Sequence, residues 1–323
     1  MNERRPARGY AALVLAGRRH GEDPLAEAAG APHRALLDIH GTPMLERVLR
    51  TLVETPCIGH IVVSIDEPKL LDRFPGIVAL RESGEAQIVV VEATESPSRS
   101  VLAILDDGAS DQPLLVTTAD HALLDVPMVE HFLAQAEARG GDLAVGLVAS
   151  KLLLERFPDA KRTYLRFADE RYSGANLFAF QTPKARRAVE FWRQAESFRK
   201  RPWRMVASFG LRALLLFVTR RLSLEEAFAE VSKTLGARAV PIVMPRAEAA
   251  VDVDKIADLE LVRQILSTPA EEERKEEEGP PDTAGPPASA NTSAKTSPSA
   301  QGAGDADQIG ASPSATKPPL AAS

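Results

Sequence analysis

Residues 10–16 read YAALVLA; the loop GRRHG follows at residues 17–21, and PMLERVLRTLVE stands at residues 43–54. The first run is short and apolar throughout, which is typical of a strand buried on both faces of a sheet. The last run has apolar residues at the spacing of one helix face. A buried strand, a polar loop and an amphipathic helix in this order predict one unit of a parallel α/β sheet.

The same alternation continues along the chain. Further strands are predicted at Ile61–Ile65, Gln87–Val91, Leu114–Thr118, Asp142–Val148, Thr163–Phe167, Asn176–Phe180 and Ala239–Val243. Further helices are predicted at Pro97–Asp106, Pro127–Arg139, Pro183–Glu196, Leu222–Leu235 and Lys255–Leu266. This order predicts a three-layer α/β/α, Rossmann-like fold with a mostly parallel central sheet.

The end of the chain has a different composition. Residues 269–323 hold nine of the 24 prolines, no aromatic residue and only two large aliphatic residues. Such a segment cannot bury enough apolar surface to offset its chain entropy. We therefore expect a folded domain at residues 8–267 and a disordered tail at residues 268–323.

The charge and the single cysteine exclude several classes of protein. The net charge is -6, of which -5 belongs to residues 269–323, so the domain is almost neutral and lacks the basic surface that nucleic acid requires. Cys57 alone cannot form an intrachain disulfide. The first residues contain no apolar signal-peptide core, and apolar runs such as Ala213–Val218 are too short to span a bilayer. A soluble, cytoplasmic protein is expected.

Polar residues follow several predicted strands, at the edge where ligands bind α/β sheets. Gly17 and Arg18 follow the first strand, where small residues and cations suit a phosphate, although a surface loop with solvated arginines fits equally well. Asp120 follows Leu114–Thr118 and is placed to bind a divalent metal ion or to cap a turn. Asp252 and Asp254 precede the last helix, where Asp254 is also a natural N-cap.

These elements together resemble a known family. The segments are ALVLAGRR (12–19), PHRALLDIHGTPMLERVL (32–49), VTTADHALLD (116–125) and VDVDKIADLELV (251–262). In this order they resemble the nucleotidyltransferases with a GT-A-like fold, and most closely the MobA-like NTP transferase superfamily. The resemblance covers about residues 8–267 and leaves out an insertion at 197–221.

The resemblance implies a role for individual positions. Residues that would bind the nucleotide are Leu15, Ala16 and Gly17 for the base and ribose, Arg18, Arg19 and His20 for the triphosphate, and Ser96 and Ser100 for the base. Arg34 stands where the family usually has Lys and would contact the phosphates. Asp120 and Asp254 would bind Mg²⁺, with Asp252 as the near alternative, and Gly174 and Asn176 would contact the acceptor.

The implied reaction is the Mg²⁺-dependent transfer of a nucleoside monophosphate from an NTP to a phosphorylated small molecule, with release of pyrophosphate. Arg18, Arg34 and Asp120 would be its catalytic residues. The run Arg99-Ser100-Val101 resembles the cytidylyltransferases, so CTP or GTP is expected. Two alternatives stay open: a nucleotide-binding regulatory module without turnover, and a GT-A glycosyltransferase.

The insertion at residues 197–221 alternates basic with aromatic and aliphatic residues. Such a stretch can form a helical lid packed on its own domain, a dimer contact or a cover over a polyanionic acceptor. It can also lie on an anionic membrane surface, which makes peripheral membrane contact a further hypothesis. The sequence does not decide the oligomeric state.

Overall fold

The computed structural model describes residues 9–18, 23–106, 112–196 and 211–277. Its strands are β1 (Tyr10–Leu15), β2 (Asp38–Ile39), β3 (Thr42–Pro43), β4 (Ile58–Ile65), β5 (Gln87–Glu92), β6 (Leu114–Thr118), β7 (Leu143–Ala149), β8 (Leu165–Arg166), β9 (Arg171–Phe180) and β10 (Ala239–Val243). Its α-helices are α1 (Pro24–Ala28), α2 (Met44–Glu54), α3 (Pro75–Glu82), α4 (Pro97–Asp106), α5 (Val126–Arg139), α6 (Ser150–Arg156), α7 (Arg186–Glu196), α8 (Leu211–Val218), α9 (Leu224–Leu235) and α10 (Ile256–Glu277). Short 3₁₀ helices lie at Arg34–Leu36, Pro68–Arg73, Pro183–Ala185 and Ala247–Ala250.

One large sheet organises the described residues, in the order β10-β7-β9-β6-β1-β4-β5, with β8 paired to β9. Strands β6, β1, β4 and β5 are parallel to one another, and β10 is parallel to β7. Strand β9 is antiparallel to both of its neighbours, β6 and β7. The prediction of a mostly parallel central sheet is therefore confirmed.

Strand β1 shows why the sheet is covered on both faces. Its residues Tyr10, Ala12 and Val14 point into one apolar cluster, and Ala11 and Leu13 point into another. The first cluster includes buried side chains of α2, α3, α5 and α10, and the second includes those of α4, α7 and α9. An apolar run without polar alternation is thus explained by helices on both sides.

The helix ends follow local sequence signals. Asp125 caps α5 by accepting a hydrogen bond from the Met128 backbone N–H at 2.9 Å, and Gly140 ends that helix in the left-handed region at φ 62°. Ser223 and Glu226 form the capping box of α9 that their spacing predicts. These local signals mark both ends of α5 and the start of α9.

The second half of the chain departs from the sequence pattern at three places. The strand expected at Thr163–Phe167 is reduced to the two residues of β8, and β9 starts five residues earlier than expected. The last helix continues through residues 268–277, which were assigned to the tail. Residues 270–277 are Ala, Glu, Arg and Lys, and their high helix propensity favours this extension.

Some expectations fall outside the described residues. These are the triphosphate contacts of Arg19 and His20, most of the insertion (197–210) and the tail beyond Glu277. The chain divides into the units Met1–Lys275 and Glu276–Ser323, and of the second unit only the last two residues of α10 are described. Within the described ranges, no helix is long and apolar enough to cross a membrane.

Candidate active site

The parallel strands place several polar groups at one edge of the sheet. β1, β4, β5 and β6 all end there, so the residues that follow them lie at neighbouring positions. These residues are Ala16 to Arg18 after β1, Asp66 after β4, Ala93 and Thr94 after β5, and Asp120 after β6. This is the edge at which α/β sheets bind their ligands.

The loop after β1 is held by backbone contacts and one carboxylate. The Ala16 N–H donates to the Ser64 carbonyl at 2.8 Å, and the Arg18 N–H donates to Asp66 Oδ2 at 2.6 Å. The Arg18 guanidinium lies 3.6 Å from the same oxygen and also pairs with Glu67. A Cβ atom on Gly17 would lie 3.1 Å from the Cβ of Ala93, a tight contact that favours glycine at this position.

A buried histidine lies behind this loop. His33 has no exposed surface, and its Nδ1 accepts a hydrogen bond from the Ala35 N–H at 3.0 Å. Its Nε2 lies 3.2 Å from Asp66 Oδ2. Burial lowers the pKa of His33, against the opposing effect of the Asp66 hydrogen bond, so the ring is neutral at pH 7. The neutral ring therefore carries its proton on Nε2 and donates it to Asp66.

Arg34 lies among carboxylates rather than in solvent. Its Nη2 donates to the Val253 carbonyl at 3.0 Å and to Asp254 Oδ1 at 3.1 Å. The same nitrogen lies 3.9 Å from Asp120 Oδ2. A backbone bond from the Val253 N–H to the Asp120 carbonyl, 3.1 Å long, fixes the segment before α10 against the end of β6. Three residues far apart in sequence thus meet at one point.

Asp120 is held in an environment that opposes its ionisation. Burial and the nearby Asp252 raise the pKa of Asp120 to about 6, although the Thr118 hydroxyl and Arg34 favour the charged form. The Thr118 hydroxyl donates to Asp120 Oδ1. The effect of burial on the pKa of Asp120 outweighs that of the Arg34 cation. A further cation beside Asp120 would therefore stabilise its ionised form.

Asp252 faces a different set of partners. Arg162, whose side chain is only 7% exposed, pairs with the Asp252 carboxylate and donates to its carbonyl at 2.9 Å. Asn176 Nδ2 donates to Asp252 Oδ2 at 3.3 Å. Burial raises the pKa of Asp252, opposed by Arg162. The carboxylate of Asp252 is therefore largely taken up by its partners, whereas Asp254 is 48% exposed and its carboxylate pairs with Arg34.

Asp258 and Asn176 lie beside Asp252 and Asp254. Asp258 Oδ2 accepts from the N–H groups of Asp254 and Lys255, both at 3.2 Å, so Asp258, not Asp254, caps the start of α10. Its other oxygen lies 3.5 Å from Arg162. Asn176 has a left-handed backbone, with φ at 49°, which turns this position of β9 toward the cluster.

Ser96, Ser100 and Gly174, also expected in the site, have different surroundings. The Ser100 side chain is buried, and its hydroxyl lies within 3.2 Å of the Ser64 hydroxyl, the Thr94 hydroxyl and the Thr94 N–H. Ser96 is half-buried and its hydroxyl lies 3.1 Å from that of Ser98. Gly174 is exposed, with open space where a Cβ would be. Ser100 thus orders the turn after β5, and its role toward a base stays a prediction.

His121 follows Asp120 directly and is fully buried. Neither of its ring nitrogens has a hydrogen-bond partner among the described residues. Burial lowers the pKa of His121 to about 4, so the ring is neutral at pH 7. This is the environment of a packing residue and not that of a general base poised near neutrality.

The sequence analysis missed four residues of this site: His33, Asp66, Arg162 and Asp258. Asp66 directly follows a buried strand, so the criterion that selected Asp120 also applies to it. Arg162 lies in an irregular segment, and its contact with Asp252 spans 90 residues. No local pattern marks such a contact.

The donor atoms fit a magnesium ion that binds together with a nucleotide. Carboxylate oxygens are the ligands that Mg²⁺ prefers, and it commonly uses one or two of them plus substrate phosphates. Asp120 and Asp254 offer two such groups, bridged by the Arg34 guanidinium. No preformed group of three or more ligating side chains is found within the described ranges.

Comparisons with known proteins concern the first half of the chain and the fold. Residues 12–152 match the MobA-like NTP transferase domain. A hypothetical transferase from Thermus thermophilus is 27% identical and has a TM-score of 0.63, covering 78% of this chain and 99% of its own. No curated protein matches the chain significantly.

Two further solved structures are less similar. One is a 4-diphosphocytidyl-2C-methyl-D-erythritol synthase from Anaerococcus prevotii, 12% identical over 80% of this chain and 99% of its own, with a TM-score of 0.49. The other is a CMP:2-keto-3-deoxy-manno-octonic acid synthetase complexed with CTP, 16% identical over 81% and 100%, with a TM-score of 0.48. At these scores neither supports a conclusion about this chain.

Proposed function

Because residues 12–152 match the MobA-like NTP transferase domain, we propose that this chain transfers a nucleoside monophosphate from an NTP to a phosphorylated small molecule. An oxygen of the acceptor phosphate attacks the α-phosphorus and forms the new P–O bond. The bond between the α-phosphorus and the bridging oxygen breaks, and pyrophosphate leaves with its electrons.

One observation carries this proposal. The Arg34 guanidinium lies 3.1 Å from Asp254 and 3.9 Å from Asp120, at the edge of the sheet where β1 ends and Gly17 and Arg18 follow. A cation between two carboxylates beside a glycine-containing loop is a suitable place for a triphosphate and its counter-ion. An ion pair that only stabilises a surface helix does not need to bring together segments as distant in sequence as those of Arg34, Asp120 and Asp254.

The chain's own cations would stabilise the charge that develops during transfer. Arg34 and Arg18 are both partly exposed, at 17% and 30%, so a phosphate can reach them. A planar guanidinium can bind two phosphate oxygens at once. The acceptor phosphate is ionised at pH 7, so no general base is required, and we assign none.

Asp120 and Asp254 would hold Mg²⁺. When bound, this ion neutralises phosphate charge and orients the reacting groups. The raised pKa of Asp120, caused first by burial, favours the approach of a cation, which stabilises the ionised carboxylate. Asp252 would support the site through its bonds to Arg162 and Asn176 and would not ligate the ion.

The acceptor would bind on the side of β9. Asn176 already contacts Asp252, and exposed Gly174 leaves room for a ligand beside it. For the nucleotide, the run Arg99-Ser100-Val101 favours CTP or GTP, and the turn that Ser100 orders is where the base would lie. A membrane contact through the insertion at 197–221 stays a separate hypothesis.

A pyrophosphate-release assay tests the proposal. Each of the four NTPs is combined with Mg²⁺ and a panel of phosphorylated sugars and polyols, with Asp120→Asn as the matched inactive variant. We expect steady release with one NTP and one class of acceptor, and loss of that release in the variant. Nucleotide binding without release for any acceptor would favour a regulatory module, and transfer of a sugar would favour a glycosyltransferase.

A further inference from the structure

His33 is the only described residue whose side chain bonds both to the turn of Arg34 and to the carboxylate that holds Arg18. Its Nδ1 accepts from Ala35 at 3.0 Å, and its Nε2 donates to Asp66 at 3.2 Å. Asp66 in turn accepts from the Arg18 backbone at 2.6 Å. We propose that His33 is a positioning residue that fixes the distance between the two phosphate-binding arginines, an inference that rests on the proposed function.

The geometry gives His33 little freedom to do anything else. The side chain has no exposed surface, so it cannot touch the nucleotide or the acceptor. Each ring nitrogen has one partner, and each partner belongs to a different side of the site. A planar five-membered ring between two fixed partners acts as a rigid spacer, which a flexible side chain of similar length would not provide.

The contact with Ala35 also sets the conformation of the Arg34 turn. His33 is the N-cap of the 3₁₀ helix Arg34–Leu36, with extended backbone at φ -158° and ψ 143°. Its ring nitrogen satisfies a backbone N–H that would otherwise lack a partner at the start of this turn. The Arg34 side chain therefore points from the start of this 3₁₀ helix toward Val253 and Asp254.

The contact with Asp66 sets the conformation of the loop after β1. Asp66 is 33% exposed and accepts hydrogen bonds from Arg18 and His33 through one oxygen. Without the histidine, this carboxylate is free to rotate away from the Arg18 backbone and to pair with its guanidinium alone. The loop then loses its fixed position relative to Arg34.

The proposal is tested with the variant His33→Asn, because asparagine keeps an N-cap acceptor but cannot reach Asp66. The matched control is His60→Asn. His60 lies near the opposite end of β4 from Asp66, and its ring lies within hydrogen-bond distance of the Gln87 side chain, at 3.3 Å. Affinities for the preferred NTP and for its nucleoside monophosphate are measured by calorimetry on folded protein.

We expect His33→Asn to weaken NTP binding about tenfold, since misplaced groups lose much of their effect. Binding of the monophosphate, which lacks the two outer phosphates, should change less than about twofold. The control should change neither. In a double-mutant cycle, the NTP affinity of the double variant Asp66→Ala/His33→Asn should be no lower than that of Asp66→Ala alone, because His33 acts through Asp66.

A spectroscopic measurement separates positioning from general stability. In ¹⁵N-histidine-labelled wild type at pH 7, the signal that disappears in His33→Asn should have the shifts of the neutral Nε2–H tautomer. An Nδ1–H tautomer, or equal losses of NTP and monophosphate affinity, would overturn the role of His33. Unchanged NTP affinity in His33→Asn would overturn this inference alone, whereas a wild type that binds no NTP would overturn the proposed function as well.

Discussion

Two clusters of charge in the site differ in how completely they are neutralised. The loop cluster consists of Arg18, His33, Asp66 and Glu67, in which both carboxylates contact the guanidinium and the histidine is neutral. The acidic cluster consists of Arg34, Asp120, Arg162, Asp252 and Asp254, in which three carboxylates share two arginines. Burial raises the pKa of two of those carboxylates, Asp120 and Asp252.

The difference indicates that the two clusters have different functions. The loop cluster is satisfied by its own partners, so it can hold a backbone in place without a ligand. The acidic cluster retains negative charge that its own arginines do not fully balance, so it is suited to attract a further cation. Substitutions in the two clusters should therefore differ in their effects.

The largest effect is expected for the buried arginine of the acidic cluster. Arg162→Met leaves Asp252 without its arginine partner and leaves Asp258 with Lys255 at 3.9 Å, and breaking a buried pair typically destabilises a protein by about 3 kcal/mol or more. Arg18→Met, which removes a side chain that is 30% exposed, should cost less than about 1 kcal/mol. Urea denaturation measures both, and equal losses would contradict the contrast.

A smaller effect is expected when the bridging cation changes shape but not charge. Arg34→Lys keeps the charge but loses the planar guanidinium, whose Nη2 donates to both Val253 and Asp254 and whose fork can bind two phosphate oxygens. We expect a turnover about tenfold lower, with the melting temperature nearly unchanged. The pyrophosphate-release assay gives the turnover, and an unchanged rate would show that the fork has no function in the reaction.

The smallest effect concerns stability and pH. The pKa of Asp120 is about 6 when folded, above its ordinary 3.8, so folding favours the protonated form. That stabilising contribution is present below pH 3.8 and is lost as the pH rises through 6. Asp120→Asn, which resembles the protonated form, should therefore raise the free energy of unfolding by about 1–2 kcal/mol at pH 8.

This gain should disappear near pH 4, where wild-type Asp120 is itself protonated in the folded state. The measurement is thermal or urea unfolding at both pH values in metal-free buffer. Asp106→Asn serves as a control because this exposed carboxylate pairs only with the exposed Arg186. Destabilisation by Asp120→Asn at pH 8 would mean that Asp120 is not under electrostatic strain.

The sequence predicted the sheet strands of the first half because each is a short apolar run with helices on both faces. It predicted the meeting of Asp120 with Asp254 only through a family resemblance, since 134 residues separate them. Contacts such as Arg162 with Asp252, or His33 with Asp66, depend on tertiary packing and leave no local pattern. The arrangement of residues on the acceptor side could not be predicted from a sequence pattern either, because β9 is antiparallel and starts in an irregular segment.

The central claim is that the acidic cluster binds a divalent cation together with an NTP. It is tested most directly by thermal unfolding with each NTP, with and without Mg²⁺, for wild type and Asp120→Asn. A ligand at 100 times its dissociation constant adds about 2.7 kcal/mol to the free energy of unfolding. We predict one NTP that stabilises the wild type in a Mg²⁺-dependent manner and loses that dependence in Asp120→Asn. The absence of a shift with any NTP, or the same Mg²⁺-dependent shift in the variant, would contradict the claim.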